Sequence, residues 1–382
     1  MNLVFASDSF KGSLSSQTIA QILTEEAALA FPGCGTASVP VADGGEGTLD
    51  AVQSALSGTR RRVNISGPLF APAQGEYLLL EHHTALIELA QAAGLTMVPP
   101  SRRDPRYTTT YGVGELIRDA LDQGCTTIYL ALGGSATNDG GIGAMSALGI
   151  RFLDERGREL SGVGEDLEQV RHIDRSGLHP KVADTKFIVM SDVTNPLLGR
   201  QGATYTFGPQ KGADPQVLQQ LEQGMDRYAR LVSQTTGVSI ATVPGGGAAG
   251  GMGAACLAFL NAEIRSGIQT VLDLAGFDAL LEQADLVITG EGRLDGQSVG
   301  GKAVSGIARR CREKGVPVLA IAGSLGEGYE ALLSQGVCGI MTLPDRPMLE
   351  AEAMEDAQEL YRNAARRAFL LLKLGHQLKG IV

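Results

Sequence analysis

Short apolar runs, each followed by a polar or glycine-bearing loop and then a helix-length segment, recur along this chain. Leu3-Val4-Phe5-Ala6 reads as a buried strand, and Ser7-Asp8-Ser9-Phe10-Lys11-Gly12-Ser13 as the loop that leaves it. Ile19, Ile22, Leu23, Ala27 and Ala30 then fall at helical spacing, with Ser15 or Ser16 placed to cap and Pro32-Gly33 to stop the helix. A second run, Thr36 to Ala42, leads into Asp43-Gly44-Gly45-Glu46-Gly47-Thr48. In the middle, Val113, Leu116, Ile117, Ala120 and Leu121 form one helical face closed by Gly124, and Thr126 to Leu132 follows as a strand. Towards the end come Leu286 to Thr289, Val316 to Ala322 and Val337 to Leu343, each separated from the next by a helix-length segment. Short apolar runs alternating with helices predict parallel sheet built from βαβ units.

A chain of 382 residues is long for one core and comfortable for two. The last strand-rich region resembles the first more than it resembles the middle. The expected fold class is therefore α/β with two domains. Residues 1–62 and 284–382 are expected to form a discontinuous, doubly wound parallel domain of flavodoxin or Rossmann type. Residues 63–283 are expected to form a mixed α/β domain inserted in it. Hairpin-like signals at Ser66-Gly67-Pro68 and Gln74-Gly75 suit a mixed sheet there, and Met354 to Leu374 reads as a peripheral C-terminal helix.

Composition excludes several function classes. The formal net charge is −10 and no basic run exceeds Arg60-Arg61-Arg62, so the basic stripe of a nucleic-acid binder is missing. The acidic balance leaves an anionic substrate possible, because a few local cations can dominate a small pocket. Five scattered cysteines without CxxC spacing fit a reducing cytoplasm. The apolar run at the N-terminus is too short for a signal peptide, and no stretch approaches the roughly 20 residues that span a bilayer. No membrane and no nucleic-acid partner is expected; the oligomeric state stays open.

The 51 glycines, against roughly 27 for an average chain of this length, cluster in loops after the apolar runs. In open α/β sheets ligands bind where strands end. The loops there hold Asp8 and Lys11, Asp43-Gly44-Gly45-Glu46, Gly133-Gly134-Ser135-Ala136-Thr137-Asn138-Asp139-Gly140-Gly141, Asp192-Val193-Thr194-Asn195, and Gly290-Glu291-Gly292-Arg293-Leu294-Asp295. Carboxylates beside glycines are what a Mg²⁺–nucleotide enzyme uses: exposed N–H groups for phosphates, acids for a hard cation, and Lys or Arg for developing charge. Asp-Gly is also a turn former, so each piece has a purely architectural reading. The run Pro244 to Gly253 is open between close helix packing and phosphate contact. Gly245, Gly247 and Gly250 match a GxGxxG string, but no clear strand precedes them, and no GxxxxGK[ST] occurs. Lys11, Lys302 and Lys211 sit beside glycine in such loops. None of the five histidines has metal-ligand spacing.

Taken together, the loops at 7–13, 40–48, 133–141, 192–197, 207–212 and 290–298 resemble the type I bacterial glycerate kinases, in the family's order from residue 2 to about 325. The resemblance implies ATP as co-substrate, a divalent ion (Mg²⁺), D-glycerate as acceptor, 2-phosphoglycerate as product, and an active site in the cleft of a split two-domain α/β fold. Three positions depart from the family pattern: Ser7 where Pro is usual, Ser191 where Cys is usual, and Gly300 where His is usual. On chemical type, Asp192 and, second, Asp295 are candidate bases, and Asp43, Glu46 and Glu291 are candidate Mg²⁺ ligands. Lys11, Arg293 and Lys302 would hold the glycerate carboxylate or the moving phosphate. Asp8, Gly44, Gly45, Gly133, Gly134, Ser135, Thr137, Asn138, Asp139, Asn195, Lys211, Gly247, Gly290 and Gly292 complete the expected nucleotide and substrate contacts. The alternatives are a nicotinamide-dependent hydroxy-acid oxidoreductase, which needs a GxGxxG at the first βα turn, and a sugar-acid-binding regulator, which needs a helix-turn-helix or a basic surface.

Overall fold

The computed structural model describes residues 1–10, 12–39, 41–42, 44–45, 47–296, 298 and 303–378. Its strands are, in chain order, β1 (Asn2–Ser7), β2 (Gly35–Ser38), β3 (Gly58–Ser66), β4 (Pro72–Leu80), β5 (Thr84–Glu88) and β6 (Thr127–Ala131). Then come β7 (Arg151–Leu153), β8 (His172–Asp174), β9 (Lys186–Met190), β10 (Glu263–Arg265), β11 (Leu286–Leu294), β12 (Val318–Leu325) and β13 (Val337–Thr342). The residues partition into two compact units, one of 1–43, 50–56 and 268–382, the other of 44–49 and 57–267.

The first unit is a five-stranded parallel sheet in the order β2-β1-β11-β12-β13. Its central strands are apolar without alternation because both faces are covered. Leu3 and Phe5 enter one core, with residues of the helices Ser16–Ala30 and Ala357–Gln377, while Val4 and Ala6 enter the other, with residues of Ala303–Lys314. Leu286 and Ile288 on β11 join the first core and Val287 the second. The helix after β1 begins where expected, with the Ser15 hydroxyl accepting from the Thr18 N–H at 3.1 Å.

Three sequence expectations change here. The division falls at Ile268, not near 284, because Ile268, Leu272, Phe277 and Leu281 pack in the same core as Val287 and Val318. The Gly290-Glu291-Gly292-Arg293 stretch is not a loop: β11 runs on to Leu294, paired through Arg293–Ser324 and Leu294–Leu325. The C-terminal helix is not peripheral. Tyr361, Ala365 and Phe369 are buried in the core that holds Leu3 and Phe5, and a separate short helix, Glu350–Glu355, precedes it.

The second unit is a six-stranded mixed sheet, β10-β9-β6-β5-β4-β3, plus the antiparallel pair β7-β8. Ser66-Gly67-Pro68 does open a hairpin turn between β3 and β4, whereas Gln74-Gly75 lies inside β4. The parallel strands β5, β6, β9 and β10 send their carboxyl ends, and hence the loops after them, to one edge.

Candidate active site

In the first unit the strand order reverses at β1. The chain goes outward from β1 to β2, then returns on the other side through β11, β12 and β13. The adjoining ends of β1 and β11 are therefore the switch point at which such sheets open a crevice. A cavity of about 870 Å³ lies there, lined by Asp8, Ser9 and Phe10 after β1, Glu291 to Arg293 on β11, and residues from the ends of β12 and β13. That volume suits a nucleotide-sized ligand. The Asp8 N–H donates to the Gly290 carbonyl at 3.0 Å, and its own carboxylate accepts from the Ser9 N–H at 2.6 Å. Glu291 is nearly buried and accepts from the Ser298 hydroxyl. Arg293 is the exposed counterpart: 66% of its side-chain surface is accessible, and Asp295 sits 3.5 Å from its Nε.

Sequence reasoning missed the opposite wall. Leu343, Met348 and Met354 give it an apolar face, and Arg346 and Glu350 add charge. The Pro344 and Pro347 that flank Arg346, directly after a strand, were the available signal for a ligand-side loop there.

In β11, Gly290 is required by its neighbour strand, since a Cβ there would lie 2.0 Å from the Ile321 carbonyl oxygen. Gly292 has room and lines the cavity. Lys11, Asp43, Glu46, Gly300 and Lys302 lie outside the described residues.

In the second unit, the loop after β6 proves mostly internal. Gly133 and Gly134 reach the surface, while Ser135, Thr137, Asn138 and Asp139 are buried. Gly133 packs so close to Gly45 that a Cβ would meet its Cα at 2.3 Å, and its N–H donates to the Gly44 carbonyl at 3.1 Å. Asp139 is a framework residue: its carboxylate accepts from the Thr110 N–H and hydroxyl at 2.8 and 2.7 Å and from the Gly141 N–H at 3.1 Å. Burial pushes its pKa up despite those bonds. Asp139 thereby braces the chain just before the helices Tyr111–Asp122 and Ile142–Ala147.

Lys211 is equally internal, at 2% exposure, and reaches the loop from behind rather than an open pocket. Its ammonium donates to Ser135 Oγ at 2.8 Å and to the Thr137 carbonyl at 2.6 Å. Burial lowers its pKa to about 7, with the Asp139 charge opposing that shift. Gly247 is also architectural. Its N–H donates to the Asn195 carbonyl at 3.0 Å, and the segment from Gly245 to Cys256 is buried. Asn195 holds the Gln201 carbonyl through Nδ2 at 2.7 Å. Asp192, after β9, is part-exposed and accepts at Oδ1 from Ser266 and Gly267.

Fold and strand-end chemistry together define a two-unit α/β enzyme, with acids and an arginine around a switch-point cavity in its doubly wound unit. The model of the glycerate kinase family matches residues 3–373, and the chain belongs to that family. It is similar to the glycerate kinase of Halalkalibacterium halodurans, 42% identical over 95% of this chain and 96% of that one. It is also similar to the glycerate 2-kinase of Escherichia coli, 40% identical over the full length of both. A crystal structure of a candidate glycerate kinase 2 from Salmonella typhimurium LT2 superimposes with a TM-score of 0.88 at 42% identity, covering 99% of this chain and 100% of that one. The protein is thus a phosphotransferase with an alcohol group as acceptor, and the oxidoreductase and regulator alternatives fall away. The match continues past residue 325, where the resemblance had been expected to fade.

Proposed function

We propose that the enzyme transfers the γ-phosphate of ATP to D-glycerate, with 2-phosphoglycerate as product, and that the nucleotide occupies the cavity of the doubly wound unit. The observation that carries the reading is the cavity at the β1/β11 switch point, which combines the carboxylates of Asp8 and Glu291 with the exposed guanidinium of Arg293. The name of the E. coli relative supports the 2-position. Free cysteines throughout, three of them buried, support a reducing compartment, the cytoplasm. No helix among the described residues is long and apolar enough to cross a membrane.

Magnesium is usually bound through one or two carboxylates plus substrate phosphates, and the donor set of Asp8 and Glu291 on one cavity fits that habit. These two residues would hold it, with Asp43 and Glu46 as further candidates. When bound with ATP, the ion neutralises phosphate charge. The chain's own groups do the rest. Arg293 is long and solvated enough to follow the transferring phosphoryl group, and Lys11 and Lys302 are the cations assigned to help it. The Asp192 carboxylate accepts the proton from the attacking glycerate hydroxyl.

Arg293→Ala tests the cavity assignment. Its side chain is mostly exposed, so the fold should survive while turnover falls at least ~100-fold, about 2.7 kcal/mol in the barrier. A folded variant with ordinary kinetics would remove the cavity from the reaction.

A further inference from the structure

Lys211 has no evident reason to be where it is on grounds of stability. Its ammonium is buried, donates to a hydroxyl and a carbonyl, and has no carboxylate within ion-pair distance among the described residues. Desolvating a charge costs several kcal/mol, and two neutral acceptors repay it poorly. A methionine would fill the same slot without that cost. The segment that delivers Lys211 is nonetheless tightly specified. The turn Pro209–Lys211 ends at Gly212, which has φ +98° and would meet the Arg103 carbonyl oxygen at 2.1 Å if it carried a Cβ.

What Lys211 grips is the buried side of the loop after β6. Its two bonds fall on Ser135 and Thr137, immediately behind half-buried Gly133 and exposed Gly134. Thr108 also holds the loop, its hydroxyl donating to the Ala136 carbonyl at 3.1 Å, whereas among the described residues Thr137 Oγ1 and Asn138 Oδ1 are buried without a hydrogen-bond partner. Leu95 N–H holds the Gly134 carbonyl at 2.8 Å and Gly44 accepts from Gly133, so both peptides are fixed from the backbone side as well.

We propose that Lys211 is a positioning residue for phosphoryl transfer: its ammonium, through Ser135 Oγ and the Thr137 carbonyl, sets the Gly133-Gly134 peptides for contact with substrate. This rests on the reading that the exposed part of that loop meets a ligand. A buried lysine whose amine is costly to charge and meets only two neutral acceptors marks a site that trades stability for geometry.

The test compares the wild type with Lys211→Met and Ser135→Ala, and with the double variant, by melting temperature, steady-state kinetics with ATP and D-glycerate, and amide exchange. Lys211→Met should melt within a few degrees of the wild type, because the desolvation it saves is offset by the two acceptors it leaves without their donor. Its kcat should fall at least ~30-fold, with KM for ATP within about threefold of the wild type, and exchange of the 133–137 amides should quicken at least ~tenfold. Ser135→Ala should show a smaller loss, and the double variant should be no worse than Lys211→Met alone, because both act through one contact. Wild-type exchange with and without an ATP analogue plus glycerate reads the underlying assumption separately. Absence of ligand protection at 133–134 would overturn the loop assignment and the proposal with it. Protection intact, with Lys211→Met kinetics near wild type, would overturn the role of Lys211 alone. A melting temperature lowered by many degrees alongside lost activity would make Lys211 a structural residue and also overturn it.

Discussion

The hydroxyl of Ser266 donates to Oδ1 of Asp192 at 2.6 Å, and the Gly267 N–H donates to the same oxygen at 3.0 Å. The loop after β10 thereby fixes the rotation of the one carboxylate assigned to take the hydroxyl proton. A base held in this way should lose more by neutralisation than by loss of its support. Asp192→Asn is expected to lower kcat by ~10³-fold and Ser266→Ala by ~tenfold, with KM for ATP little changed in either. Steady-state kinetics checks both, and equal, small effects would move the base elsewhere.

Glu26 ties the helix Ser16–Ala30 to the helix Ala357–Gln377. It is 2% exposed and accepts from Arg362 at 3.2 Å and from Arg366 at 3.1 Å through both of its oxygens. Burial pushes the Glu26 carboxyl up, but the hydrogen bonds and charge of Arg366 and Arg362 outweigh it, leaving it below its ordinary 4.5. A folded-state pKa below the unfolded one means that the stabilisation is complete above pH ~4.5 and drains away as the pH falls through the folded value. Glu26→Gln should cost about 1–3 kcal/mol at pH 7 and less at pH 3. Urea unfolding at the two pH values checks this; an equal loss at both would deny the ionic contribution.

Gly290 and Gly292 separate architecture from ligand contact within one strand. An added methyl at 290 collides with the Ile321 carbonyl of β12, a backbone atom that cannot yield cheaply. Gly290→Ala should therefore destabilise by about 1–3 kcal/mol. At 292 the nearest atom is Phe10 Cα at 3.7 Å, ordinary contact, so Gly292→Ala should fold normally and act only on nucleotide KM. Thermal melts and kinetics of the pair check the contrast, which reversed effects would contradict.

The unbroken apolar runs that fill both cores were plain in the sequence, where Leu3, Val4, Phe5 and Ala6 read as a strand covered on both sides. The end of β11 was not. Gly-Glu-Gly-Arg carries no apolar signal, and what keeps it in the sheet is the close approach that Gly290 grants to β12, a long-range fact. The same holds for the loop after β6. Its Ser, Thr, Asn and Asp looked like ligand groups because polar residues after a strand usually face solvent, yet they are buried, with Lys211 reaching in to Ser135 and Thr110 to Asp139. Chemical type singled out Asp8, Glu291 and Arg293, which line one cavity, and Asp139, which is buried away from solvent.

The central claim is most directly tested by incubating the purified protein with ATP, Mg²⁺ and D-glycerate and following ³¹P NMR against authentic 2- and 3-phosphoglycerate. The account predicts ADP and 2-phosphoglycerate in equal amounts, appearing only when all three components are present. Release of ADP with inorganic phosphate alone, or formation of 3-phosphoglycerate, would contradict it.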